Sequence, residues 1–169
     1  LHGILHSFPT RRSSDLTGLD YYYDHSDRAQ QQASFRAHIS ASRETGLPLI
    51  VHTRDAEEDT LAILSDEMEK GAFPGLIHCF TASGAFADAA LELGLSISIS
   101  GIVTFKNARD LQETSARVPS ERLLIETDAP FLAPVPHRGK TCEPGFVADT
   151  ARFLADLRGI PRRDFLVTD

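Results

Sequence analysis

Short apolar runs that lead into polar residues recur along this chain. Three of them end in acids or histidines: residues 123–125 precede Glu126 and Asp128, residues 48–51 precede His52, and residues 75–77 precede His78. A parallel strand is covered on both faces, so its residues need not alternate with polar ones. The pattern therefore predicts buried parallel strands whose C-terminal ends carry groups able to bind a metal or move a proton.

Segments with apolar residues at helical spacing separate these strands. In the first, Phe35, Ile39 and Ser42 share one face, Ser26 or Asp27 can cap the start, and Gly46 marks the stop. We expect helices over residues 27–45, 56–70, 83–93, 107–117 and 145–158, and strands at 18–23, 48–52, 76–79, 95–101 and 123–125. This alternation implies a parallel sheet with right-handed crossovers. Five strands fit an open doubly wound sheet or most of a barrel.

Length and charge narrow the class of protein. The chain has 169 residues, enough for one domain with a sizeable core but short of the about 250 that a (β/α)8 barrel usually needs. A net charge of −7 argues against a protein that coats nucleic acid in bulk, and leaves room for an enzyme with a local cationic rim. No Gly-rich phosphate loop follows the first strand, which disfavours a nucleotide-binding Rossmann domain.

The cysteines and the hydropathy of the chain indicate where in the cell the protein is located. Cys79 and Cys142 fit no CxxC pattern, and we interpret them as reduced thiols rather than as a disulfide. No apolar run approaches the roughly 20 residues that a membrane span requires. We therefore expect a cytoplasmic protein that does not associate with membranes.

The candidate metal ligands are His52, His78 and Asp128. A single histidine after an apolar run is more often a hydrogen-bonded structural residue, but three such groups at the same ends of parallel strands favour a site. Three ligands suffice for one open metal site that activates water, and Asp128 could also take a proton from that water. Glu126 lies two residues earlier, on the same face of the predicted strand, and is equally well interpreted as a buried acid paired with Arg or Lys.

Four cations flank the predicted strand ends and suit an anionic substrate such as a phosphate. They are Arg54, Lys106, Arg138 and Lys140. The alternative for each is ordinary solvent-exposed charge. Residues 21–23 are three consecutive tyrosines, which could stack on nucleic-acid bases but more often pack at a barrel rim. Cys79 is interpreted as a packing residue rather than a nucleophile.

Several segments together resemble the TatD family of metal-dependent hydrolases, a branch of the amidohydrolase-like TIM barrels. The segments that carry the resemblance are Gly18-Leu19-Asp20-Tyr21-Tyr22, residues 51–56 around His52, His78-Cys79-Phe80-Thr81, residues 100–106, Glu126-Thr127-Asp128-Ala129-Pro130, and residues 138–144. Cys142 stands where the family often has Asn. The resemblance implies a partial (β/α)8 barrel of the α/β class that lacks its first strands.

The resemblance also implies an activity. It points to a deoxyribonuclease that depends on divalent metal ions, Mg²⁺, Mn²⁺ or Zn²⁺, with two ions in the intact protein and DNA as the substrate. On that basis His52 and His78 bind one metal, while Asp128 binds the other and helps to activate water. The four cations would hold the phosphodiester backbone. We expect the intact protein to be a monomer.

The chain departs from the family at its beginning. Residues 6–16 resemble the translation of a sequencing-library adapter, so we expect residues 1–16 to be a non-native or disordered leader and residues 17–169 an incomplete barrel domain. A flexible native tail is the alternative. The family's first-strand His-x-His pair has no match, and Leu16 stands where its bridging Glu is expected. Residues 165–169 also stop where the family usually continues a short way. We therefore expect this chain to be weakly active or inactive, and poorly stable.

Two other functions fit the same residues. Fold and ligands do not fix a substrate, so the site could hydrolyse an amide or an ester instead of DNA. The chain could also be a truncated remnant that binds little and catalyses nothing.

Overall fold

The computed structural model describes residues 16–161 of the chain. The predicted leader apart from Leu16, and the C-terminal residues 165–169, lie outside the described residues. The strands are β1 (Leu16–Asp20), β2 (Leu49–Arg54), β3 (Gly75–Ile77), β4 (Ser96–Ile99) and β5 (Leu123–Ile125). The α-helices are α1 (Arg28–Thr45), α2 (Glu57–Lys70), α3 (Gly84–Glu92), α4 (Arg109–Arg117) and α5 (Val147–Arg158). Short 3-10 turns occupy Gly101–Thr104, Ser120–Arg122 and Pro144–Phe146.

The predicted alternation of strands and helices is confirmed. The strands belong to a five-stranded sheet in which they follow their order along the chain, and β1 pairs with β2, β2 with β3 and β4 with β5 in parallel. Some boundaries differ from the prediction: β2 continues to Arg54 because its last residues still pair with β1, and Leu16, assigned to the leader, is the first residue of β1. Within residues 16–161, no helix has the length and hydrophobicity needed to cross a membrane.

The chain divides into two compact units. Among the described residues, the first consists of residues 16–78 together with Asp88–Ser96. Its three strands are parallel, with Gly18 opposite His52 and Val51 opposite Ile77. The core beneath them is apolar and fully buried, and it includes Leu19, Phe35, Ile39, Leu49, Val51, Leu64 and Ile77.

Helix α1 begins and ends where the sequence predicts. The Asp27 carboxylate accepts hydrogen bonds from the backbone N–H groups of Ala29 and Gln30, which would otherwise be unpaired at the helix start. Gly46 adopts a left-handed conformation and its N–H donates to the Ser42 carbonyl. These two caps fix the length of the helix that packs behind β1 and β2.

Among the described residues, the second unit consists of Cys79–Ala87 and residues 97–161. Strands β4 and β5 are parallel, with Ile97 opposite Leu123 and Ile99 opposite Ile125. Helix α5 is tied to the end of α4, because the Arg158 guanidinium donates to the carbonyls of Ser115 (2.8 Å) and Val118 (2.7 Å). The buried apolar residues of this unit include Phe80, Phe86, Ile97, Ile99, Val103 and Leu154.

Candidate functional site

The C-terminal ends of β1 and β2 bring a carboxylate against a histidine. The Oδ2 atom of Asp20, the last residue of β1, lies 3.0 Å from Nε2 of His52. Gly18 permits this approach: a Cβ atom there would lie 1.9 Å from the His52 carbonyl oxygen. The pairing of Gly18 with His52 therefore sets how close the two strand ends come.

Both the side chain and the backbone of Asp20 form hydrogen bonds. Its Oδ1 atom accepts hydrogen bonds from the N–H groups of Tyr22 (3.0 Å) and Tyr23 (2.9 Å). The Gln31 side chain accepts from the Asp20 N–H at 2.9 Å and donates to the Asp20 carbonyl at 3.2 Å. Partial burial, the largest single effect, favours a higher pKa for Asp20, but the bonds from Tyr23, His52 and Tyr22 together outweigh it and lower the pKa. The side chain is thus an ionised acceptor in a fixed orientation.

The chemistry of His52 fits a metal ligand. A carboxylate accepts hydrogen bonds and cannot donate them, so the His52 ring nitrogen 3.0 Å from Asp20 is placed to be the donor, and Nδ1 is the ring nitrogen left for a metal. Histidines that bind metals usually donate their other ring N–H to such a carboxylate. The side chain is 34% exposed, which leaves the ring accessible. His52 therefore has the chemistry of a ligand for a divalent transition metal.

Arg54, a predicted substrate contact, lies two residues beyond His52 and is exposed. Its guanidinium stacks on the neighbouring turn, 3.9 Å from the ring centroid of Tyr22 and 4.9 Å from that of Tyr23. The two tyrosines are 57% and 54% exposed, so they are surface rings rather than the rim packing that is more usual for aromatics in this position.

His78 and Asp128 follow strands, as the sequence predicts. His78 comes directly after β3, is half-buried, and its backbone N–H donates to the Val51 carbonyl at 2.8 Å. Asp128 comes three residues after β5 and is half-buried in the second unit. Within residues 16–161, no group of three or more His, Cys, Asp or Glu side chains is assembled to hold a metal ion. The ligand set of His52, His78 and Asp128 stays a prediction.

Glu126 has a different environment from the predicted one. Strand β5 ends at Ile125, so the alternation of a strand does not place Glu126 and Asp128 on one face, and that prediction is wrong. One carboxylate oxygen of Glu126 accepts from the Cys79 N–H at 2.6 Å, and the other accepts from the Ser98 hydroxyl at 2.7 Å. Glu126 therefore fastens the turn that begins at Cys79 to strand β4.

Cys79 is a packing residue, in agreement with the sequence interpretation. Burial, with smaller contributions from the charges of Asp128 and Glu126, raises the pKa of its thiol to about 12. The thiol contacts the Ser100 hydroxyl at 3.2 Å. A thiol with so high a pKa holds too little thiolate to act as a nucleophile near neutral pH. Its backbone has a φ of +42°, an uncommon conformation for a residue with a side chain.

The remaining predicted cations lie in the second unit. Lys106, Arg138 and Lys140 are all exposed. The Arg138 guanidinium lies 4.4 Å from the ring centroid of Phe105, the residue before Lys106, so these two charges share one surface. Lys140 follows on the same loop, where its N–H donates to the His137 carbonyl at 3.0 Å. Arg138 and Lys140 therefore share one loop, and Lys106 follows the residue that Arg138 contacts.

Two residues of this site escaped the sequence analysis. Asp20 was visible only as part of a motif, and its role depends on the register that sets it beside His52. His137 precedes Arg138, stacks on Phe146 with ring centroids 3.8 Å apart, and its Nε2 lies 3.1 Å from the Asp149 carboxylate. That anchor fixes the base of the loop that carries Arg138 and Lys140. A His at the start of a Pro- and Gly-rich cationic loop was the available signal.

Comparison with known proteins finds a matching family model and similar curated proteins. The family model described as "TatD related DNase" matches residues 16–167. The chain is 52% identical over 144 residues to the "Uncharacterized metal-dependent hydrolase YcfH" of Escherichia coli K12, a match that covers 85% of this chain and 54% of that protein. It is 44% identical over 141 residues to the "Uncharacterized metal-dependent hydrolase YabD" of Bacillus subtilis, covering 83% and 55%.

Solved structures show the same fold. The chain superposes on YjjV, a TatD homologue from Escherichia coli, with a TM-score of 0.80 and 26% identity, covering 88% of this chain and 57% of that one. A TatD family hydrolase from Entamoeba histolytica gives a TM-score of 0.76 at 22% identity, covering 91% and 59%. The chain thus spans about half the length of the curated relatives it matches (54% and 55% for the two named above).

Proposed function

This chain belongs to the TatD family of metal-dependent hydrolases, and from that premise we propose that it hydrolyses phosphodiester bonds of DNA with the help of divalent metal ions. The observation that carries the proposal is the contact at the ends of β1 and β2, where His52 Nε2 lies 3.0 Å from the Asp20 carboxylate. An arrangement of this kind is what a metal ligand at a strand end requires. The family description adds the class of substrate.

His52, His78 and Asp128 would hold the metal. Imidazole nitrogen and carboxylate oxygen together suit Mn²⁺ or Zn²⁺, and carboxylate oxygen also suits Mg²⁺. When bound, such an ion makes water a stronger nucleophile and neutralises charge that develops on the phosphoryl oxygens. The family resemblance favours two ions in the intact protein.

Asp128 is the candidate general base. Its carboxylate would accept a proton as a water oxygen forms a bond to phosphorus and the bond from phosphorus to the leaving oxygen breaks. The leaving oxygen then takes a proton from solvent. Asp128 is half-buried, so a proton held there stays close to the reacting atoms.

The exposed cations supply the contacts to the DNA backbone. Arg138 and Lys106 share the surface around Phe105, and Lys140 lies on the same loop as Arg138. Phosphate oxygens favour such charge-assisted hydrogen bonds, and the fork of an Arg can donate two at once. Because the chain as a whole is negatively charged, DNA would bind at this local cationic surface.

The test is cleavage of a labelled single-stranded oligonucleotide with Mg²⁺, Mn²⁺ or Zn²⁺, run beside the longer E. coli relative YcfH. We expect cleavage by this chain to be weaker than that by YcfH, to be abolished by a chelator, and to be lowered about 100-fold or more by Asp128→Asn. Arg138→Ala should raise KM about tenfold, because a charge-assisted hydrogen bond is worth about 1.5 kcal/mol or more. The matched control is Arg117→Ala, which removes an exposed arginine in the last turn of α4 that donates to the Gly84 carbonyl, and it should leave KM unchanged.

A metal-dependent amide or ester hydrolase is the second candidate, because the matched relatives are named only as metal-dependent hydrolases. Turnover of nitrophenyl esters or anilides without cleavage of DNA, in both this chain and YcfH, would establish it and refute the nuclease. DNA cleavage by YcfH alone, with no turnover by this chain, would favour a chain that has no activity of its own.

A further inference from the structure

Asp20 is the last residue of β1, and its carboxylate contacts His52. We propose that it is a positioning residue that holds His52 in the tautomer with the proton on Nε2 and the lone pair on Nδ1, ready for a divalent metal. The inference rests on the proposed function insofar as His52 is a metal ligand. Its structural part concerns the metal-free protein and can be measured there.

The orientation of the Asp20 carboxylate is determined by both of its oxygens. Oδ1 accepts from two consecutive backbone N–H groups, those of Tyr22 and Tyr23, which belong to the turn after β1. These bonds direct Oδ2 toward His52, whose Nε2 atom lies 3.0 Å away. Rotating the carboxylate toward another partner would break three hydrogen bonds at once.

The backbone of Asp20 is fixed as well. The Gln31 amide on α1 bonds to both the N–H and the carbonyl of Asp20, and its nitrogen also donates to the Ser26 carbonyl at 3.0 Å. Helix α1, strand β1 and the turn after it therefore meet at this one residue. The carboxylate is an unusually well-determined acceptor for an imidazole proton.

The tautomer follows from the difference between a carboxylate and an amide. A carboxylate has no proton to give, so the ring nitrogen that faces it must be the donor. In Asp20→Asn, the Oδ1 atom can keep its bonds to Tyr22 and Tyr23, but an NH₂ group now faces His52. The ring nitrogen at that position must then accept, which moves the imidazole proton to Nδ1. The variant preserves the turn and removes the lone pair that a metal would use, a loss of the kind that follows when an orienting Asp becomes Asn in a catalytic triad.

The experiment is nitrogen NMR of the histidine side chains of the full chain, metal-free and at about pH 8, where an unperturbed imidazole is neutral. The chain has 7 histidines, and the His52 signals are those missing from His52→Gln. We expect Nε2-protonated His52 in the native chain and Nδ1-protonated His52 in Asp20→Asn. The backbone amide signals of Tyr22 and Tyr23 should keep their positions in Asp20→Asn and shift in Asp20→Ala.

Titration with Mn²⁺ or Zn²⁺, followed at the same signals, gives the second measurement. We expect Asp20→Asn to weaken metal binding at His52 about 10–100-fold, the usual effect of losing the partner of a ligating histidine. The matched control is Asp24→Asn, which changes an exposed carboxylate on the same segment that bonds to Arg28. That variant should leave both the tautomer and the affinity as they are.

The outcomes separate the two ideas. Nδ1-protonated His52 in the native chain, or an Asp20→Asn variant with native tautomer and native affinity, would overturn the role of Asp20. Nε2-protonated His52 in a native chain whose His52 signals do not respond to either metal would support that role and refute the proposed metal site.

Discussion

An ion-pair cluster joins α1 to α2 through one nearly buried acid, Glu67, whose side chain is 7% exposed. Its carboxylate accepts hydrogen bonds from Arg36 (2.8 Å), Arg43 (3.0 Å) and Lys70 (2.8 Å). Arg43 also donates to the Gly71 carbonyl, so the cluster reaches the end of α2. Replacing Glu67 with Gln keeps the size of the side chain and removes the charge that three cations surround.

The pKa of Glu67 gives the magnitude. The bond from Lys70 is the largest cause, and with those from Arg43 and Arg36 it lowers the pKa from 4.5 to about 2 in spite of burial. At about 1.4 kcal/mol per pKa unit, the shift sets a ceiling of about 3 kcal/mol on the stabilisation at neutral pH. Since Arg36 and Lys70 are 40% and 53% exposed, solvent screening reduces the contribution to about 1–2 kcal/mol.

Urea unfolding of the native chain and of Glu67→Gln, repeated from pH 7 to pH 2, measures this contribution. At pH 7 we expect the variant to lose about 1–2 kcal/mol of unfolding free energy, with a Tm lower by about 2–8 °C. A lowered carboxyl pKa stabilises the folded state above the unfolded pKa, near 4.5, and the stabilisation disappears as the pH falls toward about 2. The two chains should therefore converge over that interval, while Glu69→Gln, an exposed acid on the same helix, tracks the native chain. Equal stability at pH 7, or a difference that persists at pH 2, would refute the reasoning.

Three further predictions concern stability around the site. Gly18→Ala should destabilise the fold by about 3 kcal/mol or more, because the new Cβ would meet the carbonyl of His52 at 1.9 Å. Gly46→Ala, with open space around the new Cβ, should cost about 1 kcal/mol. Chemical denaturation of the two variants compares these costs. Thr150→Val should stabilise the chain by about 1 kcal/mol in a thermal melt, because its buried hydroxyl has no hydrogen-bond partner within residues 16–161; a lower Tm would contradict this. Glu126→Gln should cost about 1–3 kcal/mol in urea unfolding, since one amide oxygen replaces two acceptors; an unchanged midpoint would contradict this.

The order of elements could be predicted because it depends on local patterns. The periodicity of apolar residues and the caps at Asp27 and Gly46 are short-range features, and the structure confirms them. Boundaries were less accurate where pairing or backbone geometry decides them. Strand β2 runs to Arg54 because Asp20 of the neighbouring strand pairs with it, and α5 is preceded by a 3-10 turn at Pro144–Phe146. Neither effect leaves a signal within the segment itself.

Residues of the candidate site could be predicted where a local sequence pattern marks them, and could not where their role depends on a partner in another strand. His52 and His78 could be singled out because an apolar run that ends in a histidine is visible in the sequence. Asp20 could not, because its meaning depends on a partner 32 residues away and on the register that Gly18 allows. A motif indicated that Asp20 mattered without indicating what it contacts. Only the paired strands bring its carboxylate to 3.0 Å from the imidazole of His52.

The two acids after β5 show why spacing alone misassigned a role. Spacing of two residues suggested that Glu126 and Asp128 face the same way, but the strand ends before either of them. Glu126 instead accepts the N–H of Cys79, whose positive φ bends the chain immediately after His78. An uncommon backbone conformation persists only where its surroundings stabilise it, and a charged acceptor at 2.6 Å does so. The first acid thus secures the turn that follows His78, one of the predicted ligands.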